Sequence, residues 1–262
     1  MVTVFISYAT QDVKEAGALH HLLKLLGFKC FLAHKDIPKG EQWRDEIVNV
    51  LRKSDVFIAL LSEHGVASSW VQQECGMAHL LRKRARKPLI IPVVPDGAVP
   101  PGCLSDYQAQ TISLTFWFSK LNLTTEIAKK LALAIVAKLR CADAIKPQAL
   151  DNAKSLKVED LAFVIDALSA CGNTTFSDFL TLTNAAISHI AAARSDAVMT
   201  ALYQLLEVHR AELSKWPEWV RAWNGLHKKY SDFKEVQRQQ QEEMLRNLRE
   251  SMKPKADSSK SS

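Results

Sequence analysis

The chain has 262 residues, of which 47% are hydrophobic and 24% charged, with nine glycines and nine prolines. This composition is typical of a globular protein and excludes an intrinsically disordered chain, which would have fewer apolar residues and a larger net charge. The formal net charge is only +6, and apolar runs such as residues 56–61 are far shorter than the ~20 residues that cross a bilayer, so no membrane association is expected.

The five cysteines indicate free thiols. They are odd in number and scattered along the chain. They form no Cys-x-x-Cys pair and no Cys/His ligand spacing, so neither a disulfide framework nor a bound metal is expected. Residues 1–16 lack the basic start, long apolar run and cleavage site of a secretory signal peptide. The sequence therefore predicts a cytoplasmic protein.

Short, apolar strand patterns alternate with helical patterns along the first half of the chain. Continuously apolar strands are typical of a parallel sheet that helices cover on both faces. We therefore predict a doubly wound α/β domain over residues 1–140, with right-handed crossovers and a five-stranded parallel sheet. The predicted strands are residues 2–7, 28–32, 55–61, 89–94 and 111–114, and the intervening helices are centred on residues 16–26, 43–51, 68–84 and 124–139.

The pattern changes after Leu139, because no further strand-like run follows and helical periods recur instead. We predict a small all-α domain over residues 145–250, with a role in sensing or oligomerisation, and a disordered tail over 251–262. Within this part, the highly polar segment 233–249 is either a projecting helix or a coiled-coil-like contact.

Aromatic residues recur at helical spacing in the second half, which favours a core or a subunit interface over a site for an aromatic ligand. They are Trp216, Trp219, Trp223 and Tyr230. The basic run at 82–87 closes a predicted helix, where cations suit the negative end of the helix dipole, although a patch for an anionic partner remains an alternative. No aromatic residue interleaves that run, so nucleic-acid binding is not expected.

Ligands bind to doubly wound sheets outside the carboxyl ends of the strands, so chemistry is expected at that rim. Glu74 lies in the first turns of a helix that begins there, four residues after Trp70 and on the same face. A carboxylate beside an aromatic wall has either a raised pKa or a fixed negative charge. Either suits a reaction with a cationic transition state, such as cleavage of a glycosidic C–N bond. The alternative is a solvated residue favoured by the helix dipole.

Two further segments reach the same rim. The end of strand one, Ser7 to Thr10, offers hydroxyls and backbone amides to phosphate or ribose, or else caps the next helix. The charged loop 33–43, which includes Lys39, could close over a phosphate-bearing ligand, contact a protein or simply connect two elements. Neither a GxGxxG fingerprint nor a P-loop is present, so the common phosphate-binding motifs are excluded.

Four segments occur together in an informative order and spacing, namely FISYATQD, GFKCFLAHKDIPKGEQW, SDVFIALLSE and SSWVQQE. They resemble the Toll/interleukin-1 receptor (TIR) domain family over about residues 1–140. The resemblance implies a flavodoxin-like fold. It also implies either an adaptor that only assembles or an enzyme of the bacterial and plant type that cleaves NAD+. The enzymatic branch carries a glutamate in the third helix, usually four residues after a tryptophan, and Trp70 and Glu74 match that pattern.

The resemblance thus implies an NAD+ nucleosidase in which Glu74 is catalytic and NAD+ is the substrate, with no separate cofactor. The product would be ADP-ribose or a cyclic isomer, and the setting would be bacterial anti-phage immunity. Active sites in the family are often completed by a neighbouring subunit across the loop after strand two, the BB loop, so a homo-oligomer formed through TIR–TIR contacts is expected. The implied substrate-binding residues are Ser7, Tyr8, Ala9, Thr10, Lys39, Trp43 and Trp70.

Two other functions stay open at this point. One is a non-enzymatic adaptor that acts through TIR–TIR association. The other is a nucleoside deoxyribosyltransferase, which shares the sheet and a catalytic glutamate but exchanges bases on deoxynucleosides. Release of nicotinamide from NAD+ separates the enzyme from both alternatives.

Overall fold

The computed structural model describes residues 1–33, 43–95, 98–112, 123–188, 192–213, 215 and 217–251. Five parallel strands form one sheet in the order β2-β1-β3-β4-β5. Because β1 and β3 are neighbours at the centre, the chain winds outward in both directions from this pair. The predicted doubly wound α/β fold is therefore confirmed. The strands are β1 Thr3–Ser7, β2 Lys29–Leu32, β3 Val56–Leu60, β4 Leu89–Pro95 and β5 Gln110–Ile112.

Helices cover both faces of the sheet. The helices α1 and α5 pack on one face, against apolar side chains such as Val4, Ile6 and Ile58. The helices α2 and α4 pack on the other face, against Phe5 and Phe57. The bounds are α1 Val13–Leu25, α2 Trp43–Lys53, α3 Glu63–Ala67, α4 Ser69–Ala85 and α5 Leu123–Leu139.

The predicted elements match the structure with two differences. The predicted helix at 68–84 is preceded by a separate short helix, α3, whose first turn is capped by Ser62. The fifth strand ends at Ile112, and residues 113–114 of the predicted strand lie outside the described residues. The five cysteines are free thiols, as predicted.

The second half of the chain is helical, as predicted, and joins the core of the first half. Its helices share one apolar cluster with α1, α5 and one face of the sheet. Trp223 lies in this core, with its ring centroid 5.0 Å from Tyr203 and 6.3 Å from Phe179. The side chains of Trp216 and Trp219 lie outside the described residues. The bounds are α6 Ala142–Ala153, α7 Val158–Ala170, α8 Phe176–Ser188, α9 Asp196–Leu213 and α10 Pro217–Ser251.

The polar segment 233–249 is part of the continuous helix α10, and the coiled-coil-like contact stays a prediction. That helix has 35 residues, a length of about 52 Å at 1.5 Å per residue. Between residues 231 and 247 every side chain except Phe233 is exposed. Arg238 forms ion pairs with Glu235 and Glu242 along this segment.

The seam between the two halves is closely packed at the end of α1. Gly27 has φ +85°, and a Cβ atom at this position would lie 2.9 Å from the carbonyl oxygen of Ile145. The side-chain amide of Asn152 in α6 donates to the carbonyl oxygens of Lys24 and Leu25, at 3.3 and 3.0 Å. The helical region therefore rests directly on the α/β sheet domain through α1.

Candidate active site

Ser7 and Glu74 meet at the carboxyl end of β1. Side chains alternate between the two faces of a strand, so Ser7 lies on the same face as Phe5, which packs against α2 and α4. Its hydroxyl group donates a hydrogen bond of 2.5 Å to Oε2 of Glu74. Both residues are completely buried. The β1 terminus and α4 are thus joined by a hydrogen bond to a carboxyl group.

The burial of Glu74 follows from its position on α4. Ser68 caps this helix by accepting a hydrogen bond from the backbone N–H of Val71. The buried residues of α4 are Val71, Glu74, Cys75 and Ala78. This i, i+3, i+4, i+7 spacing is that of the core-facing stripe of a helix. Glu74 is therefore an acid within an apolar stripe, and the alternative that it is a solvated residue at the helix start is wrong.

Burial sets the electrostatics of Glu74. Loss of hydration raises the pKa of its carboxyl group from the ordinary 4.5 to about 7, although the hydrogen bond from Ser7 acts in the opposite direction. Its second oxygen, Oε1, is buried and has no hydrogen-bond partner among the described residues. A buried polar atom without a partner is unfavourable for stability and calls for an explanation. One explanation is that a ligand supplies the partner.

A second buried acid lies at the same end of the sheet. Asp12, directly before α1, is 3% exposed. It accepts a hydrogen bond of 2.6 Å from the hydroxyl of Ser62, which lies directly before α3. The backbone N–H of Gly65 in turn donates to the Ser62 hydroxyl at 3.0 Å. Burial raises the pKa of Asp12, while the hydrogen bond from Ser62 lowers it. This network fixes the loop after β1 to the start of α3.

The other predicted site residues differ in how far they are exposed to solvent. Thr10 is exposed, and the Trp70 ring is half-buried. Ala9 is 2% exposed, and Tyr8, 1% exposed, belongs to the core cluster on the opposite face of the sheet. Only backbone atoms of Tyr8 are therefore placed to meet a ligand at the rim. Trp43 begins α2.

The positions of two predicted substrate-binding side chains are not described. Lys39, and the side chain of Trp43, lie outside the described residues. Their predicted contacts with the dinucleotide therefore stay predictions.

Sequence reasoning missed Asp12 and Ser62 as site residues. Both lie in the segments that follow the first and third strands, where parallel sheets collect functional side chains, and Ser62 also has the residue type and position of a helix N-cap. These signals were present. That the two side chains bond to each other depends on β1 and β3 being neighbours, which the order of elements alone does not establish.

Chemically, the arrangement offers one acid of near-neutral pKa in an apolar setting. The neighbouring Cys75 is no nucleophile, because burial strongly raises the pKa of its thiol. Among the described residues, no three His, Cys, Asp or Glu side chains cluster as metal ligands. The group most able to act is the Glu74 carboxylate, as an acid–base group or as a negative charge beside a developing cation.

The parallel strand order β2-β1-β3-β4-β5 defines a flavodoxin-like α/β domain, with a buried acid beside the end of β1. A family model for the TIR domain matches residues 4–131. These residues are a TIR domain, and the chain is a TIR-domain protein. The family includes NAD+-cleaving enzymes, and its members commonly self-associate. No curated protein matches the chain. None of the described helices is long and apolar enough to cross a membrane.

Proposed function

We propose that this TIR domain is an NAD+ nucleosidase that cleaves the bond between nicotinamide and ribose. The observation that carries the proposal is the Glu74 carboxyl group, which is buried on the core stripe of α4, bonded by Ser7 and left with one oxygen that has no partner among the described residues. The products are nicotinamide and ADP-ribose or a cyclic isomer of it. As the family resemblance implies, we place this reaction in bacterial anti-phage immunity.

The reaction needs a negative charge at the ribose. The C1′–N bond breaks, its electron pair neutralises the pyridinium ring of nicotinamide, and positive charge develops on C1′ and the ring oxygen. The Glu74 carboxylate stabilises this oxocarbenium ion. Water then adds to C1′ and loses a proton, giving ADP-ribose, or a nucleophilic atom of the adenosine part adds instead, giving a cyclic product. A fixed charge in an apolar site stabilises a transition state more strongly than it would in water.

The ionised form of Glu74 is the active one in this scheme. With a pKa of about 7 in the substrate-free protein, both protonation states are populated near neutral pH. A bound nicotinamide ring carries a positive charge, which favours the carboxylate and lowers the pKa of Glu74. The substrate therefore promotes the ionisation that its own cleavage requires.

Assembly is part of the proposal. Glu74 has no exposed surface in the single chain, so NAD+ must displace protein atoms to reach it. We propose that TIR–TIR contacts across the BB loop, which includes Lys39, complete the site. The NAD+ contacts would then come from Ser7, the backbone at Tyr8 and Ala9, and the exposed Thr10, with Trp43 and Trp70 offering aromatic surface.

The test is a chromatographic assay of nicotinamide release by the full chain, free in solution and forced to oligomerise by fusion to an oligomeric carrier. The variant Glu74→Gln keeps the size of the side chain and removes its charge. We expect it to lower the rate by roughly 100-fold or more, as loss of a transition-state electrostatic group commonly does. The matched control is Glu63→Gln, an exposed acid on the nearby α3, which should retain the rate.

The main alternative is an adaptor that acts only by TIR–TIR association. The complete burial of Glu74 is compatible with this alternative too, because a structural acid would also be shielded. It predicts no nicotinamide release even from the oligomerised protein, and that result would exclude the enzyme. A base exchange on deoxynucleosides without nicotinamide release would instead indicate a deoxyribosyltransferase.

A further inference from the structure

A cleft of about 730 Å³ lies at the amino end of the sheet, opposite the carboxyl end where Glu74 lies. It is bounded by the TIR domain and the helical region. It is formed where α1 ends, where β2 begins and where α6 passes by. Strand β1 has five residues, so about 13 Å of extended chain separates the amino end of the sheet from its carboxyl end. A volume of this size is within the range of small-molecule sites.

The charge lining the cleft has one sign. Lys24 and Lys29, on α1 and β2, are the charged side chains among its described lining residues. Both lysines are exposed, and neither forms an ion pair with a described residue. The cleft has no aspartate or glutamate among its described lining residues.

Two acids next to lining residues of the cleft have other partners. Asp160 accepts from the ring of His21 at 3.3 Å, and Asp151 pairs with Lys154 at 3.0 Å. The last carbonyl groups of α1, which would repel an anion, already accept hydrogen bonds from Asn152. The two lysine charges at the cleft therefore have no protein counterion among the described residues.

One wall of the cleft is apolar. Leu25, Phe28 and Leu156 line it beside the lysines. The walls are also held in place, because Gly27 packs against the backbone of α6 with no space for a side chain. A pre-formed cleft lined by both cations and apolar side chains suits a flat ring that carries phosphates.

We propose that this cleft binds a phosphate-bearing small molecule of nucleotide size, with its phosphates on Lys24 and Lys29 and its ring against Leu25 and Leu156. Such a ligand contacts the TIR domain and α6 at once. Its binding energy therefore stabilises the packed arrangement of the two halves relative to any arrangement that opens the cleft. The site is distinct from Glu74 and does not depend on the nucleosidase activity.

Calorimetric titration of the full chain with ATP, inorganic triphosphate and adenosine tests the proposal. We expect ATP to bind, triphosphate to bind more weakly, and adenosine to show no binding. The double variant Lys24→Glu/Lys29→Glu should weaken ATP binding on the order of tenfold or more, a loss of about 1.4 kcal/mol. The neutral variant Lys24→Gln/Lys29→Gln should show a smaller loss of ATP affinity. Both lysines are exposed, so we expect both variants to fold.

The matched control is Lys14→Glu/Lys53→Glu, which makes the same change in net charge on exposed residues outside the cleft and should leave ATP affinity unchanged. Glu74→Gln should also leave it unchanged, which separates this site from the rim. The proposal is overturned if neither ATP nor triphosphate binds, if adenosine binds as tightly as ATP, or if the Lys24/Lys29 variants bind ATP as the wild type does.

Discussion

At the carboxyl end of the sheet, the carboxyl groups of Asp12 and Glu74 are buried among apolar residues and bonded to serine hydroxyls. At the amino end, the ammonium groups of Lys24 and Lys29 lie exposed beside a packed seam. Part of this polarity follows from helix dipoles, since helix N-termini favour acids and C-termini favour bases.

The buried carboxyl groups and the exposed lysines differ in their effect on the stability of the fold. An exposed lysine keeps its hydration, whereas a buried carboxylate loses it and stays charged only at a cost in free energy. Evolution tolerates such a cost mainly where function requires the group. Under the proposed function, the carboxyl end is therefore the part of the domain in which stability and activity oppose each other. At the amino end the structure is set by close packing instead.

Gly27→Ala tests the packing at the amino end and should have the largest effect on stability. Alanine is disfavoured at φ +85°, by about 1–2 kcal/mol. Its Cβ would also press against the backbone of Ile145, and overpacking adds about 1–3 kcal/mol. We expect a total loss of about 2–5 kcal/mol in urea unfolding.

The control for this change is Gly17→Ala in the middle of α1, where nothing lies within 4 Å of the added methyl group. It should stabilise the protein by about 0.5–1 kcal/mol. Equal effects of the two substitutions would mean that the seam is not closely packed.

Glu74→Gln tests the burial of charge at the carboxyl end. The pKa of Glu74 is raised from 4.5 to about 7 on folding, so the folded state binds the proton more tightly. Stability from this group is therefore full below pH 4.5 and is lost as pH rises through 7. Between about pH 5 and about pH 8 the wild type should lose about 2–3 kcal/mol relative to Glu74→Gln.

Urea unfolding of both proteins across that range provides the measurement, and the other titrating groups cancel in the difference. Parallel stability curves for wild type and Glu74→Gln would show that Glu74 is solvated in the folded protein. Glu63→Gln is again the control, with no difference expected.

Ser62→Ala should have the smallest of the three effects on stability. It removes the cap of α3 and the hydrogen bond to the buried Asp12, for about 1–2 kcal/mol in total. Thermal unfolding measures the change against Ser69→Ala, an exposed serine in the first turn of α4, which should be neutral within about 0.5 kcal/mol. If the two variants are equally stable, the network does not contribute to holding the loops.

The sequence predicted the elements that have strong local signals. Continuously apolar strands such as 56–60 indicated the parallel sheet, and helical spacing indicated the helix around residues 16–26. The apolar stripe that includes Val71, Cys75 and Ala78 also contained the information that Glu74 is buried. A charged residue in the first turns of a helix is usually solvated, however, so this stripe alone does not decide between burial and exposure of Glu74.

Features that depend on contacts between distant elements could not be predicted. Asp12 and Ser62 are 50 residues apart, and their contact depends on the pairing of β1 with β3. The cleft likewise requires α6 to pack on the end of α1, and nothing in the local sequence of Lys24 or Lys29 indicates that partner.

The most direct test of the account compares the pH dependence of NAD+ cleavage by the wild type and Ser7→Ala, measured as kcat/KM on the oligomerised protein. This ratio reports the ionisation of the free enzyme. The account predicts that the wild-type rate rises with pH through about 7, where Glu74 ionises. Because the Ser7 hydrogen bond lowers the pKa of Glu74, the rise in Ser7→Ala should move to higher pH. A profile that is flat through neutral pH, or one that Ser7→Ala leaves in place, would contradict the assignment of Glu74 as the ionised catalytic group.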